Sequence, residues 1–121
     1  MKIEILTGEF SICRDDRKRS VDLSHEMVFI GRTDEELSLV CPTNIAPDDF
    51  EKREDGWRGM RICGQLDFSL IGILAKISSA LANRKIGIFV VSTYNTDYIF
   101  VKHDKLNDAI DALCEMGCEI E

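Results

Sequence analysis

Apolar and polar positions are most clearly patterned between residues 60 and 102. An apolar run, Met60–Cys63, leads into the polar turn Gly64-Gln65-Leu66-Asp67. Leu70, Ile71, Ile73, Leu74, Ile77 and Leu81 then recur at intervals of three and four. That period places them on one face of a helix, predicted from about Ser69 to Arg84, with Lys76, Asn83 and Arg84 off that face. Asp67 and Ser69 suit the helix N-cap, where a short side-chain oxygen satisfies first-turn N–H groups. The pattern returns to strand over Ile86–Thr93, turns at Tyr94-Asn95-Thr96-Asp97 and resumes over Tyr98–Lys102. A second helix over Lys105–Met116 and a short strand over Cys118–Ile120 complete a β-α-β-β-α-β order, the split βαβ or ferredoxin-like α+β fold. The predicted core joins Leu70, Ile73, Leu74, Ile77 and Leu81 to Ile88, Val90, Ile99, Val101, Ile110 and Leu113.

The front half is less regular. Ile3 and Ile5, then Phe10, Ile12 and Cys13, mark two strands separated by Thr7-Gly8. Residues 15–26 are polar, with at most a short helix near Val21–Glu26. Met27–Gly31 and Leu37–Cys41 read as strands around Asp34-Glu35-Glu36, Pro42 and Pro47 end regular structure, and Asp48–Gly56 reads as a charged connector. Ser11-Ile12-Cys13 matches Arg61-Ile62-Cys63 at an offset of 50, and Phe29, Thr33 and Leu39 match Phe89, Thr93 and Ile99 at an offset of 60. A tandem arrangement is expected: a degenerate first unit over residues 1–58, its first helix shortened and its second largely lost, and a complete unit over residues 59–121. Trp57, between Gly56 and Gly59, is expected to pack the halves together, with ligand stacking as its alternative role.

The predicted topology brings two segments to one sheet edge. A right-handed crossover makes the first two strands of the complete unit parallel, with the third antiparallel between them. The turn and helix start carrying Asp67, Phe68, Ser69, Leu70, Ile71 and Gly72 then lie beside the hairpin Thr93, Tyr94, Asn95, Thr96 and Asp97. A helix N-terminus favours an anion and Asp97 a cation, so the pair suits a zwitterion such as a free amino acid. Backbone N–H groups at 69–72 would take the α-carboxylate and Asp97 the ammonium, while Phe68 and Tyr94 shape a side-chain pocket. Plainer roles stand beside these. Asp67 or Ser69 can serve as an N-cap, Asn95-Thr96-Asp97 as a turn, and Thr93 and Tyr94 as cross-strand packing. Glycine is costly inside a helix, so Gly72 predicts a close approach by a ligand, a partner chain or a neighbouring strand.

Leu66-Asp67-Phe68-Ser69-Leu70-Ile71-Gly72-Ile73-Leu74 after a strand, followed by Ser92-Thr93-Tyr94-Asn95-Thr96-Asp97-Tyr98, resembles an ACT domain. With Arg32-Thr33-Asp34-Glu35-Glu36-Leu37-Ser38-Leu39-Val40-Cys41-Pro42 upstream, the chain is similar to small bacterial proteins related to cytosolic arginine sensors and aspartokinase regulatory domains. The resemblance extends over nearly the whole chain. It implies an amino-acid-binding regulatory fold that works as a dimer, with ligand contacts at the helix start and the hairpin. Without a catalytic domain, output passes to a separate regulated protein, or the chain only buffers or reports its ligand. The front half lacks a Leu-Asp-Phe-Ser helix start and is not expected to form a full site of its own. The alternative is an oligomerisation or docking module with a vestigial site.

Composition narrows the classes further. The 121 residues carry a net charge of −7, which argues against nucleic acid and acidic membrane surfaces. The basic run Arg14-Asp15-Asp16-Arg17-Lys18-Arg19 is interrupted by aspartates and reads as a solvated loop. No signal-peptide core follows Met1-Lys2 and no apolar run approaches about 18 residues, so a cytoplasmic protein is expected. Five cysteines without a Cys-x-x-Cys, and two histidines without ligand-like neighbours, predict no metal and no cofactor; the cysteines are expected to be buried small hydrophobes. Neither a nucleophile–base pairing nor a phosphate loop occurs, so no catalytic residue and no enzyme activity are expected. The edges offered by Met27–Cys41 and Cys118–Ile120 predict a symmetric homodimer.

Overall fold

The computed structural model describes residues 1–16, 19–63 and 72–121. Their elements, in chain order, are β1 (Lys2–Ile5), β2 (Phe10–Asp15), β3 (Phe29–Arg32), β4 (Leu37–Pro42), β5 (Lys52–Ile62), α1 (Ile73–Asn83), β6 (Phe89–Ser92), β7 (Asp97–Lys102), α2 (Leu106–Glu115) and β8 (Glu119–Ile120). Contacts divide them into two units, Met1–Thr7 with Arg58–Glu121, and Gly8–Trp57.

In the larger unit β7 pairs with both β5 and β6, which gives the ferredoxin-like α+β core. One strand is added to it. β1 is antiparallel to β5 and parallel to β8, and so lies between the first and last strands of the βαββαβ plan. Ile3 is fully buried there, opposite Ile62 on one side and Ile120 on the other. Residues 1–7, grouped with the front half on sequence alone, therefore cluster with residues 58–121. Ile77, Leu81, Ile99, Val101 and Leu113 are fully buried in one core with Ile3, Met60 and Ile62. Ile73, Leu74, Ile88 and Val90 pack at its margin. Ile110 is half-buried outside this cluster, and Leu70 lies outside the described residues.

Helix α1 starts later than its apolar period predicts. Its N-cap is Gly72, with φ 89° and ψ 3°, and no side chain among the described residues caps it. Asp67 and Ser69, the expected caps, lie outside the described residues. Among the described residues, no atom lies within 4 Å of where a Cβ on Gly72 would sit. Its left-handed backbone, which L side chains disfavour, is by itself a reason for glycine at this position. A close approach is found at Gly59 in β5, where a Cβ would lie 2.9 Å from Leu6 Cδ1 and 2.9 Å from Phe100 Cε1. Phe100 is fully buried and has little room to yield.

In the smaller unit β4 pairs with β2 and β3, and the first part of β5 pairs with β2. The β3–β4 hairpin matches Phe29 to Val40, and β6–β7 matches Phe89 to Phe100, the same register 60 residues on. Each hairpin closes with an N–H···O bond of 2.9 Å, from Thr33 to Glu36 and from Thr93 to Thr96. Each also leads into a one-turn 3-10 helix, Thr43–Ile45 and His103–Lys105.

One expectation fails in this unit. Val21–Glu26, read as a short helix at most, forms none, but the supposed connector Asp48–Gly56 already enters β5 at Lys52. The connector's charges are paired locally, which lets a polar segment join a sheet. Arg53 bonds Asp48 at 2.9 Å and Asp55 at 2.8 Å, and the Ser11 hydroxyl donates to Asp55 at 2.6 Å. Cys13, Leu37, Leu39, Cys41 and Phe50 form the core. Burial pushes the Cys41 thiol up to about 11, so it packs as a neutral group. Cys114, also expected to be buried, is exposed.

The packing sets expected costs. Leu81→Ala empties a fully buried position and should cost about 2–5 kcal/mol, whereas Leu74→Ala, at the half-buried margin, should cost less. Gly59→Ala forces a methyl against Leu6 and Phe100 and should cost about 1–3 kcal/mol. Urea unfolding of the three variants measures this order.

Candidate functional site

The hairpin between β6 and β7 is built by its own side chains. Thr93 Oγ1 donates to the Thr96 carbonyl at 3.0 Å and accepts from the Thr96 N–H at 3.4 Å. Thr96 is buried, and its hydroxyl donates to the carbonyl of Ile62 at 2.8 Å. That bond fixes the hairpin against the end of β5, the strand from which the chain runs on to Gly72 and α1. A threonine suits the position because its methyl tolerates burial while its hydroxyl satisfies a carbonyl that would otherwise be costly to bury.

Around this anchor the remaining hairpin residues face outward. Tyr94 is 77% exposed and Asn95 is exposed. Asp97 is half-buried, and its Oδ1 accepts a hydrogen bond from Ser92, its cross-strand partner. Ser92 was not a sequence candidate; it becomes one only through the register of β6 against β7. Thr93 and Thr96 hold the turn, while Tyr94, Asn95 and Asp97 form its accessible side. Gly72 places the first turn of α1, whose N–H groups have no side-chain cap among the described residues. An uncapped helix start offers donors and a positive dipole end to an anion. Asp67, Phe68, Ser69, Leu70 and Ile71 lie outside the described residues.

Among the described residues, no three or more His, Cys, Asp or Glu side chains gather so as to hold a metal ion. No helix among them is long and apolar enough to cross a membrane.

A family profile described as ACT domain matches residues 52–115. The cytosolic arginine sensor for mTORC1 subunit 1 of Rattus norvegicus is 40% identical over 58 residues, and that of Mus musculus is 41% identical over the same length. These matches cover 47% of this chain, which spans 18% of the length of those relatives. The crystal structure of the Agrobacterium tumefaciens protein Atu0741 superposes with a TM-score of 0.89 at 32% identity, covering 99% of this chain and 91% of that one. The ligand-free regulatory subunit of aspartate kinase from Thermus thermophilus gives a TM-score of 0.68 at 10% identity over 95% of this chain and 97% of that one, a likeness of fold alone.

The anchor has a measurable weight. Thr96→Val keeps shape but leaves the Ile62 carbonyl without its donor, and should cost about 1–3 kcal/mol. Asn95→Ala, at an exposed position, should stay within about 0.5 kcal/mol. Chemical denaturation of both variants checks the contrast.

Proposed function

We propose, from the premise that the chain belongs to the ACT domain family, that it is a non-catalytic module that binds a free amino acid and regulates another polypeptide through its occupancy. The observation that carries this reading is the Thr96–Ile62 hydrogen bond, which holds an acidic hairpin at the end of the strand leading to the α1 start. The ligand carboxylate meets the first-turn N–H groups at Gly72, and its ammonium meets Asp97. Asp67, Phe68, Ser69, Leu70 and Ile71 complete the wall on the helix side; Tyr94 and Asn95 form the rim, and Thr93 and Thr96 keep the turn in shape. The relatives that match in sequence include an arginine sensor, which supports a sensing role over an enzymatic one.

The same reading takes residues 1–58 as a degenerate ACT-like unit, whose first strand is lent to the sheet of the complete unit over residues 59–121, and it is supported by the shared hairpin register. The protein works in the cytoplasm as a symmetric homodimer, since β3, β6 and β8 each have one described neighbour and exposed edges favour pairing. One observation favours a second reading, a docking module with a vestigial site: Asp97 and Thr93 already have partners within the hairpin, and Thr96 has one in β5.

A thermal-shift screen against the twenty amino acids separates the two. A ligand at about 100 times its Kd stabilises the fold by about 2.7 kcal/mol, a rise in Tm on the order of ten degrees for a chain of this size. Asp97→Ala removes a charge-assisted contact and should weaken that ligand about ten- to a hundredfold. If no amino acid shifts the Tm at millimolar concentration, the docking reading replaces the sensing one.

A further inference from the structure

The smaller unit carries a second cleft, unrelated to the hairpin site. It is an open cleft of about 560 Å³, and its described lining is Arg19, Ser20, Val21, Leu23, Ile30 and Arg32. That volume lies within the range of about 300–1,000 Å³ typical of small-molecule sites. Two features distinguish it from an incidental surface dent. The first is a preorganised cation. Arg19 is clamped by Asp49 at 2.9 and 3.1 Å and by the fully buried Asp15 at 3.3 Å, and its guanidinium lies 4.5 Å from the Phe50 ring centre. These carboxylates offset the charge of Arg19. Its backbone carbonyl in turn accepts from Nη2 of Arg32. One of the five guanidinium N–H donors is thus used to fix the plane of the others.

The second feature is apolar surface left in water beside that cation. Leu23 is 66% exposed and Ile30 38% exposed, two of the few large apolar side chains so placed among the described residues. Ile30 and Arg32 are two apart on β3, so strand geometry turns them to the same face. No acidic residue is among the described lining residues, and the nearby Asp15 and Asp49 are engaged by Arg19, so an ammonium group meets no counter-charge among them.

We propose that this cleft binds a small carboxylate with an apolar body and no ammonium group. The carboxylate takes the fork of Arg32 in two parallel N–H···O bonds, the geometry guanidinium favours. The body covers Val21, Leu23 and Ile30. The site is independent of the hairpin, and its ligand class differs from a zwitterion by the absent ammonium.

Titration calorimetry of the full chain with phenylpropionate, phenylpropylamine and acetate tests this. Phenylpropionate should bind, with the amine and acetate at least about tenfold weaker, since each lacks one half of the recognition. Arg32→Gln should weaken phenylpropionate about ten- to a hundredfold, and Arg32→Lys should recover only part of the loss because it keeps the charge without the fork. Ile30→Ser should weaken phenylpropionate and leave acetate unchanged, which decides the matter if an Arg32 variant fails to fold. Asp97→Ala should leave all three unchanged. Equal binding of acid and amine, wild-type affinity in folded Arg32→Gln, no heat with phenylpropionate at millimolar concentration, or loss of binding in Asp97→Ala would each overturn the assignment.

Discussion

A single buried hydrogen bond, from the Thr96 hydroxyl to the Ile62 carbonyl, holds the candidate site in place. Hairpin tips are ordinarily the loosest parts of a sheet, because their backbone groups face water and few contacts restrain them. Here the tip is tied from inside by a residue buried to 7% exposure, and the turn is closed again by the Thr93 hydroxyl. The exposed residues between these two threonines are carried on a stiff frame. Such a frame suits recognition, since a ligand that meets preorganised groups loses less affinity to ordering them.

The added strand β1 supports that frame from the other side of β5. Ile3 fills the space between Ile62 and Ile120. The fold therefore buries β5 on both flanks, with β7 on one side and β1 on the other. A strand paired on both sides cannot shift register without breaking two ladders. The carbonyl that Thr96 uses is thus among the well-restrained atoms of the chain. The ACT fold gains rigidity where the site needs it, from a segment at the opposite end of the sequence.

Much of this was legible in the residues, and the failures have physical causes. Ile77 and Leu81 were placed in the core by helical period alone, and the β6–β7 turn by the turn preference of Asn95 and Asp97. The helix start was misjudged because Leu70 and Ile71 extend the apolar period past the point where Gly72 breaks the helix with a positive φ. The opening of β5 was misread because Lys52, Arg53, Glu54 and Asp55 look like a solvated connector until their pairing across the sheet is known. The placement of β1 depends on long-range register, which leaves no local mark in sequence, and the role of Ser92 on its pairing with Asp97 across the hairpin. Arg19, read within a solvated loop, is instead held by Asp15 and Asp49, two residues separated from each other by a strand hairpin.

The central claim is that one amino acid touches both the α1 start and the β6–β7 hairpin. Amide chemical shifts followed by NMR during titration with the amino acid test it most directly. The account predicts that amides from Gly72 to Ala75 and from Thr93 to Asp97 move together and fit one Kd. Shifts confined to one of the two segments, or found only elsewhere in the chain, contradict it.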